Sequence, residues 1–445
     1  MALVKTLLIY NLILLPGLLC LLPGALRKMK ARGGSWRDML ARIGRLPHEK
    51  LAAIAALPCG RERIWMHAVS VGEAGIAMKL ITRWLREHPG AGFVLTTTTP
   101  TGHSMAEEFA ARQNGRVVVI YSPLDLPWVG GLFLDLIAPS QMVLIEAEVW
   151  PNLVWLARRR GIRVSMVNAR LSTKSERRFR RLSWLVRPVF AMLDQVHVQE
   201  PEDVARFLTL GVPQSALHHT GSIKFDPQGA AADEGQVQQL RQVMHQAGIG
   251  EALKTVLLAS THAGEELLLA QVVKKLAEKE AGLALLIVPR HVERAPEILS
   301  ELRGIGIEAQ LRSQVSMEPP VPMKSALPTL LIDSTGELRA WQCLASLVIV
   351  GKSFLAVGGQ NPAEAVMAMK PVLFGPHMEN FEALVELLLK QRGAIQVPDV
   401  AALEKEMQAL LGDADRCRRL GEAGHAALRA HEGATLATLR LLTSA

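Results

Sequence analysis

Carboxylates and cations stand at the ends of short apolar runs along this chain, where a fold of alternating strands and helices would bring them to one edge. Glu73 closes Ser70-Val71-Gly72-Glu73, which leads from the run Ile64–Ala68 into a helical pattern. A carboxylate there serves as a general base if a closed site raises its pKa moderately, or it simply serves the dipole of the helix it opens. Glu146 begins Glu146-Ala147-Glu148-Val149-Trp150-Pro151-Asn152. An acid-x-acid pair without histidine or further acids is a poor cation site, as is Asp413-Ala414-Asp415, so no metal is expected. Glu146 is read as a charge that organises the site, or as the partner of a nearby arginine. Lys224 follows Thr220-Gly221-Ser222-Ile223, and Arg290 stands in Pro289-Arg290-His291 after the run Leu285–Val288. Cations at such places neutralise phosphate oxygens as a leaving group departs, arginine bidentately; the plainer reading is a solvated side chain. Gly358-Gly359-Gln360-Asn361-Pro362-Ala363-Glu364 lies between strand-like Val348–Val350 and helix-like Ala365–Met369. A glycine pair lets backbone amides approach an anion, the following helix start favours negative charge, and Glu364 can accept hydrogen bonds from sugar hydroxyls. That combination suggests a nucleotide; an ordinary glycine turn with a first-turn acid is the alternative.

The elements that must position these residues alternate. Ile64–Ala68, Phe93–Thr97, Val117–Ile120, Met142–Ile145 and Val164–Val167 read as buried strands, with helical patterns between most of them, such as Gly75 to His88 and Leu153 to Arg160. The pattern breaks at Asp226-Pro227-Gln228-Gly229 and resumes with Val256–Ala259, Leu285–Val288, Thr329–Ile332, Leu347–Val350 and Val372–Phe374. This predicts α/β architecture, with two doubly wound domains facing a cleft and ligands beyond the carboxyl ends of the strands. The expected divisions are an anchor over residues 1–30, a first domain over 31–225, a linker over 226–236 and a second domain over 237–445. Ser260-Thr261-His262-Ala263-Gly264-Glu265-Glu266 looks like a capped helix start facing the same opening, and Asp333–Leu338 offers another helix N-terminus.

Leu7 to Leu22 is nearly all apolar, interrupted by Asn11 and Pro16-Gly17, and is a little short for a comfortable bilayer span. Only Lys5 precedes it, whereas Arg27, Lys28, Lys30, Arg32 and Arg37 follow, which argues against a cleaved signal peptide and for an uncleaved anchor with the body in the cytoplasm. The anchor is expected to span the bilayer, tilted or kinked, or to lie in one leaflet. The 445 residues carry a formal charge of +8, which suits an anionic membrane or phosphorylated substrate. Nucleic acid is disfavoured because few aromatics interleave the basic residues, and no GxGxxG fingerprint points to a dinucleotide. Cys20, Cys59, Cys343 and Cys417 are far apart and are expected to be reduced and mostly buried.

Taken in order, these segments resemble the 3-deoxy-D-manno-octulosonic acid (Kdo) transferases. The resemblance is carried by His67–Glu73, Glu146–Asn152, Asn168-Ala169-Arg170-Leu171-Ser172, Thr220–Asp226, Ser260-Thr261-His262 with Gly264-Glu265-Glu266, and Pro289-Arg290-His291. Gly336-Glu337, Gly358–Glu364 and Gly375-Pro376-His377 with Asn380-Phe381 continue it. It implies a GT-B glycosyltransferase of two Rossmann-like domains that moves Kdo from CMP-Kdo to the lipid A precursor (lipid IVA). That transfer would take place on the cytoplasmic face of the inner membrane, among anionic lipids, with no cofactor or metal. By the same resemblance Glu73 is the catalytic base, and Glu146 and Lys224 assist the transition state. Pro289, Arg290, Thr335, Gly336, Glu337, Asn361, Pro362, Ala363 and Glu364 hold CMP.

The chain departs from that pattern at Gln360, where the family usually has His, at Lys352 (Gly), Ser222 (Asn) and Ala365 (Pro). Two other readings stay open: a GT-B enzyme using a UDP-sugar, and a membrane-tethered homologue that binds without catalysing.

Overall fold

A computed structural model describes residues 2–31, 35–146, 149–171, 173–227, 232–315 and 326–444. Among these residues the strands form two parallel seven-stranded sheets, one in each of two compact units: Met1–Asp226 with Gly433–Ala445, and Pro227–Glu432. In the first unit the strands are β1 (Arg63–His67), β2 (Gly92–Thr97), β3 (Val117–Tyr121), β4 (Gln141–Ile145), β5 (Arg163–Ala169), β6 (Gln195–Val198) and β7 (Leu217–His219). Their order is β3-β2-β1-β4-β5-β6-β7. In the second they are β8 (Lys254–Thr261), β9 (Leu283–Pro289), β10 (Ala309–Leu311), β11 (Thr329–Leu331), β12 (Leu347–Val350), β13 (Val372–Phe374) and β14 (Ile395–Gln396). These are ordered β10-β11-β9-β8-β12-β13-β14.

The central strands are continuous apolar runs because a parallel sheet is covered on both faces. Trp65, Val94, Met142 and Leu144 fill one layer beside the first sheet, and Ile64, Met66, Phe93, Leu95 and Val143 fill the other. Strand order reverses between β1 and β4 in the first unit and between β8 and β12 in the second, which in doubly wound sheets opens a crevice at the carboxyl ends. Both doubly wound domains are therefore present as the sequence predicts.

Three expectations need correcting. The second unit stops at Glu432 rather than running to residue 445. The C-terminal helix Ala434–Thr443 returns to the first unit, where Leu439 and Leu442 enter the layer formed by Ile64 and Phe93. Buried Asp226 holds its start, accepting the amides of Gly433 at 3.1 Å and Thr435 at 2.8 Å. Much of the expected linker, Gln228 to Ala231, lies outside the described residues. The thiols, too, are less buried than expected: Cys59 is exposed, and Cys343 and Cys417 are half-buried and free.

The third correction concerns the N-terminus. The apolar segment lies within the helix Ala2–Ala31, but among the described residues no helix is long and apolar enough to cross a membrane. Two stripes divide its first turns. Leu7 is buried and Leu14 packs on the core of the first unit, whereas Val4, Leu8 and Leu12, spaced four apart, are exposed.

Asp226→Ala removes the carboxylate that caps the returning helix. The change should cost about 1–2 kcal/mol and release residues 434–443, read as lost amide protection in hydrogen exchange there with the second unit unaffected.

Candidate active site

The helix Val71–Glu87 starts where β1 ends. Ser70 is its N-cap, with Oγ accepting the Glu73 amide at 3.2 Å, and Glu73 Oε2 accepts the Val69 amide at 2.7 Å. Glu73 thus does the local work of a helix-start acid. It is also buried, and burial raises its pKa against the opposing hydrogen bonds from Val69 and Ser70. Glu146 is the first residue beyond β4, with φ of 59°. Burial raises its pKa as well, and the neighbouring charge of Glu73 adds to the rise; the charges of Lys224 and Arg170 oppose it. The two glutamates therefore meet at the point where the first sheet reverses its strand order. Glu148, the second acid of the acid-x-acid pair, lies outside the described residues, as does Ser172.

Lys224 is brought there by its loop. The Ile223 amide donates to Asn168 Oδ1 at 2.8 Å, and Lys79, from the helix that carries Glu73, donates to the carbonyl of Ile223 at 2.8 Å. Lys224 itself is exposed. His67, the last residue of β1, is buried beside Thr96 at 2.9 Å and edge-on to Trp150. Burial, with Arg42 nearby, pushes its pKa down to about 3, so it is neutral and no proton shuttle.

In the second unit the loops after β8, β9, β11 and β12 carry the expected nucleotide residues. Pro289 ends β9, and the Arg290 amide donates to the Thr261 carbonyl at 2.9 Å while its side chain is exposed. Gln360 Nε2 lies 3.1 Å from His262 Nε2, and His262 stands edge-on to His291. Thr335 and Gly336 are exposed. Glu337 is already engaged, with Arg312 at 3.2 Å and Ser334 at 2.6 Å. Asn361 Oδ1 accepts the Ala363 amide at 3.1 Å, Pro362 precedes the short helix Ala363–Met367, and Glu364 pairs with Arg339 at 2.8 Å. The glycine pair differs from expectation. Both residues take left-handed φ, 117° and 69°, but their amides donate to the protein, Gly358 to Glu379 at 2.7 Å and Gly359 to the Lys352 carbonyl at 3.0 Å.

Comparison with known proteins decides what these two sites belong to. Residues 37–227 match the family model described as 3-deoxy-D-manno-octulosonic-acid transferase (kdotransferase). The chain is 34% identical over 423 residues to the 3-deoxy-D-manno-octulosonic acid transferase of Bordetella pertussis, covering 94% of each. The chain belongs to the Kdo transferase family. The corresponding transferase of Haemophilus influenzae is 31% identical over 380 residues, covering 85% of this chain and 86% of that one. Among solved structures, the C-terminal CMP-Kdo binding domain of WaaA from Acinetobacter baumannii is similar over 44% of this chain and all of its own, at 25% identity and a TM-score of 0.40. This chain is thus an enzyme, a glycosyltransferase that transfers Kdo, built on two doubly wound units.

Sequence reasoning left three residues of this Kdo transferase without a role. Asn168, at φ of 55° where β5 slips its register on β6, holds the Lys224 loop through its Oδ1 and stands beside Glu146. Arg170 adds its charge beside Glu146. Glu265 was grouped with Glu266 as a helix-start acid, but it is fully buried and accepts four amides. These are Lys352 at 2.5 Å, Ser353 at 2.9 Å, Phe354 at 3.0 Å and His262 at 3.1 Å. It therefore joins the loop after β8 to the loop after β12. The adjacent Glu266 instead pairs with Arg294 at 2.9 Å. Two consecutive acids at a helix start were the only signal available, and they do not say which one turns inward.

Glu265→Ala should strand several of these amides and destabilise the second unit by at least about 3 kcal/mol. Denaturant unfolding checks the loss, with faster amide exchange at 352–354 as its local signature.

Proposed function

We propose that this chain transfers Kdo from CMP-Kdo to the lipid A precursor in one direct displacement, with Glu73 as general base. The observation that carries the roles is the meeting of buried Glu73 with half-buried Glu146, the latter faced by Lys224 and Arg170, at the strand-order reversal of the first sheet. Glu73 accepts the proton of the acceptor hydroxyl as that oxygen bonds to the anomeric carbon of Kdo. The bond from that carbon to the phosphate oxygen breaks, and CMP leaves with the electron pair, inverting the anomeric centre. Lys224 and Arg170 keep Glu146 anionic enough to hold positive charge at the site. On the second unit, Pro289-Arg290, Thr335-Gly336-Glu337 and Asn361–Glu364 hold CMP, and Arg290 meets the phosphate. Its guanidinium makes no hydrogen bond or ion pair among the described residues, whereas Glu337 and Glu364 are already tied to arginines. With cations supplied by the protein, the leaving group needs no metal.

The acceptor is a lipid, and the first unit offers it a surface. Val4, Leu8 and Leu12 form an exposed apolar stripe on the N-terminal helix, and Trp184 is exposed on the helix Ser183–Phe190 that packs against it. An apolar stripe with an aromatic beside it suits one leaflet of a bilayer. We place the enzyme at the cytoplasmic face of the inner membrane with this helix in the plane of the leaflet. Of the basic cluster 158–160, Arg158 is paired with Asp194 and Arg160 with Asp135, and Arg159 lies over the Trp155 ring. Attraction to anionic lipid falls instead to exposed Arg177, next to Arg178, which lies over the Phe179 ring.

Glu73→Gln should bind CMP normally and transfer almost no Kdo. In the wild type, protonation of Glu73 stops transfer, and its pKa is raised, so kcat/KM should fall on acidification at a pH above the ordinary glutamate value of 4.5. A pH profile of Kdo transfer, with CMP titration of the variant, checks both; normal turnover by Glu73→Gln would remove the base.

A further inference from the structure

Asn11 interrupts an apolar run, and an amide among leucines needs hydrogen-bond partners. Its Nδ2 donates to the Leu7 carbonyl at 2.9 Å and to Asn152 Oδ1 at 2.9 Å, and Asn152 Nδ2 donates back to Asn11 Oδ1 at 2.8 Å. This reciprocal amide pair joins residues 141 positions apart. Asn152 is 1% exposed, and its Nδ2 donates also to the Asp125 carbonyl. The Asp125 carboxylate, 4% exposed, accepts the amides of Asn152 at 3.1 Å and Leu153 at 2.9 Å. Those amides open the helix Pro151–Arg159, whose own N-cap, Trp150, supplies no side-chain cap. The Tyr10 side chain stands beside Asp125.

The segment held at Asn152 begins at Glu146. Its near end is fixed where the Glu146 amide donates to the Val167 carbonyl at 2.9 Å, and its middle where Trp150 meets the ring of His67 edge-on at 5.8 Å. The far end is fixed by Asn152 and Asp125, and through them by the N-terminal helix.

We propose that Asn11 is a positioning residue for Kdo transfer, clasping Asn152, and through it Asp125, so that the N-terminal helix holds the segment that carries Glu146. This rests on the reading of Glu146 as part of the active site. The helix then has two working sides. Val4, Leu8 and Leu12 face outward, and Leu7, Tyr10, Asn11 and Leu14 face the body. A simple tether could be exchanged for any apolar sequence; a clasp could not.

The test uses full-length Asn11→Leu and Asn11→Ala with lipid acceptor in vesicles. Asn11→Leu makes the helix more apolar, so a fall in rate cannot come from weaker membrane binding. Both variants should remain on the vesicles, keep the KM for CMP-Kdo and lose about ten- to a hundred-fold in kcat, and amide exchange over residues 149–156 should accelerate. Unchanged kcat, or unchanged exchange in that segment, would overturn the clasp. Wild-type protein that transfers no Kdo would count against the proposed function instead, and the exchange measurement would still decide the clasp.

Discussion

A carboxylate taken out of water must find backbone amides, cations or a proton, and both units of this Kdo transferase are organised around that requirement. In the first unit Asp125 caps one helix from a distance, Asp226 caps the returning C-terminal helix, and Glu73 closes the turn after β1. In the second, Glu265 gathers four amides and holds the loops after β8 and β12. Each is satisfied differently, and the differences separate structure from chemistry. Glu265 is saturated by amides and fixes geometry. Glu73 and Glu146 are held by fewer bonds, and burial raises the pKa of both.

The backbone bends where these groups collect. Glu146, Asn168, Ser260 and Lys352 all have φ between 53° and 59°; Glu146, Ser260 and Lys352 lie at or near the carboxyl ends of strands flanking a reversal, and Asn168 near that of β5, the next strand along. Left-handed backbone costs a non-glycine residue about 1–2 kcal/mol, and such residues concentrate at functional sites when their surroundings fix them. For Lys352 the surroundings are visible: its amide is bound by Glu265 and its carbonyl by Gly359. That is how lysine is accommodated in left-handed backbone.

Much of this was legible in the sequence because central parallel strands announce themselves as unbroken apolar runs. Nine of the ten segments read as strands lie inside the sheets, and the tenth, β3, is an edge strand that carries an apolar run all the same. The four missed, β6, β7, β10 and β14, lie at or next to sheet edges, where Gln195-Val196-His197-Val198 or a two-residue strand lacks an apolar run. Long-range partners were equally silent. Nothing local says that Asn11 meets Asn152, that Glu265 rather than Glu266 turns onto residues 352–354, or that residues 434–443 return to the first unit. The Gly358-Gly359 turn was found by its residue types, but the destination of its amides was not, because Glu379 reaches it from 21 residues away.

The central claim is Kdo transfer by the protein's own carboxylates and cations. The measurement that meets it most directly is transfer from freshly generated CMP-Kdo to a tetra-acylated lipid A precursor, with and without EDTA, read by mass spectrometry. The account predicts product bearing added Kdo in equal amount under both conditions. Absence of product from folded protein that binds CMP, or product abolished by EDTA, would contradict it.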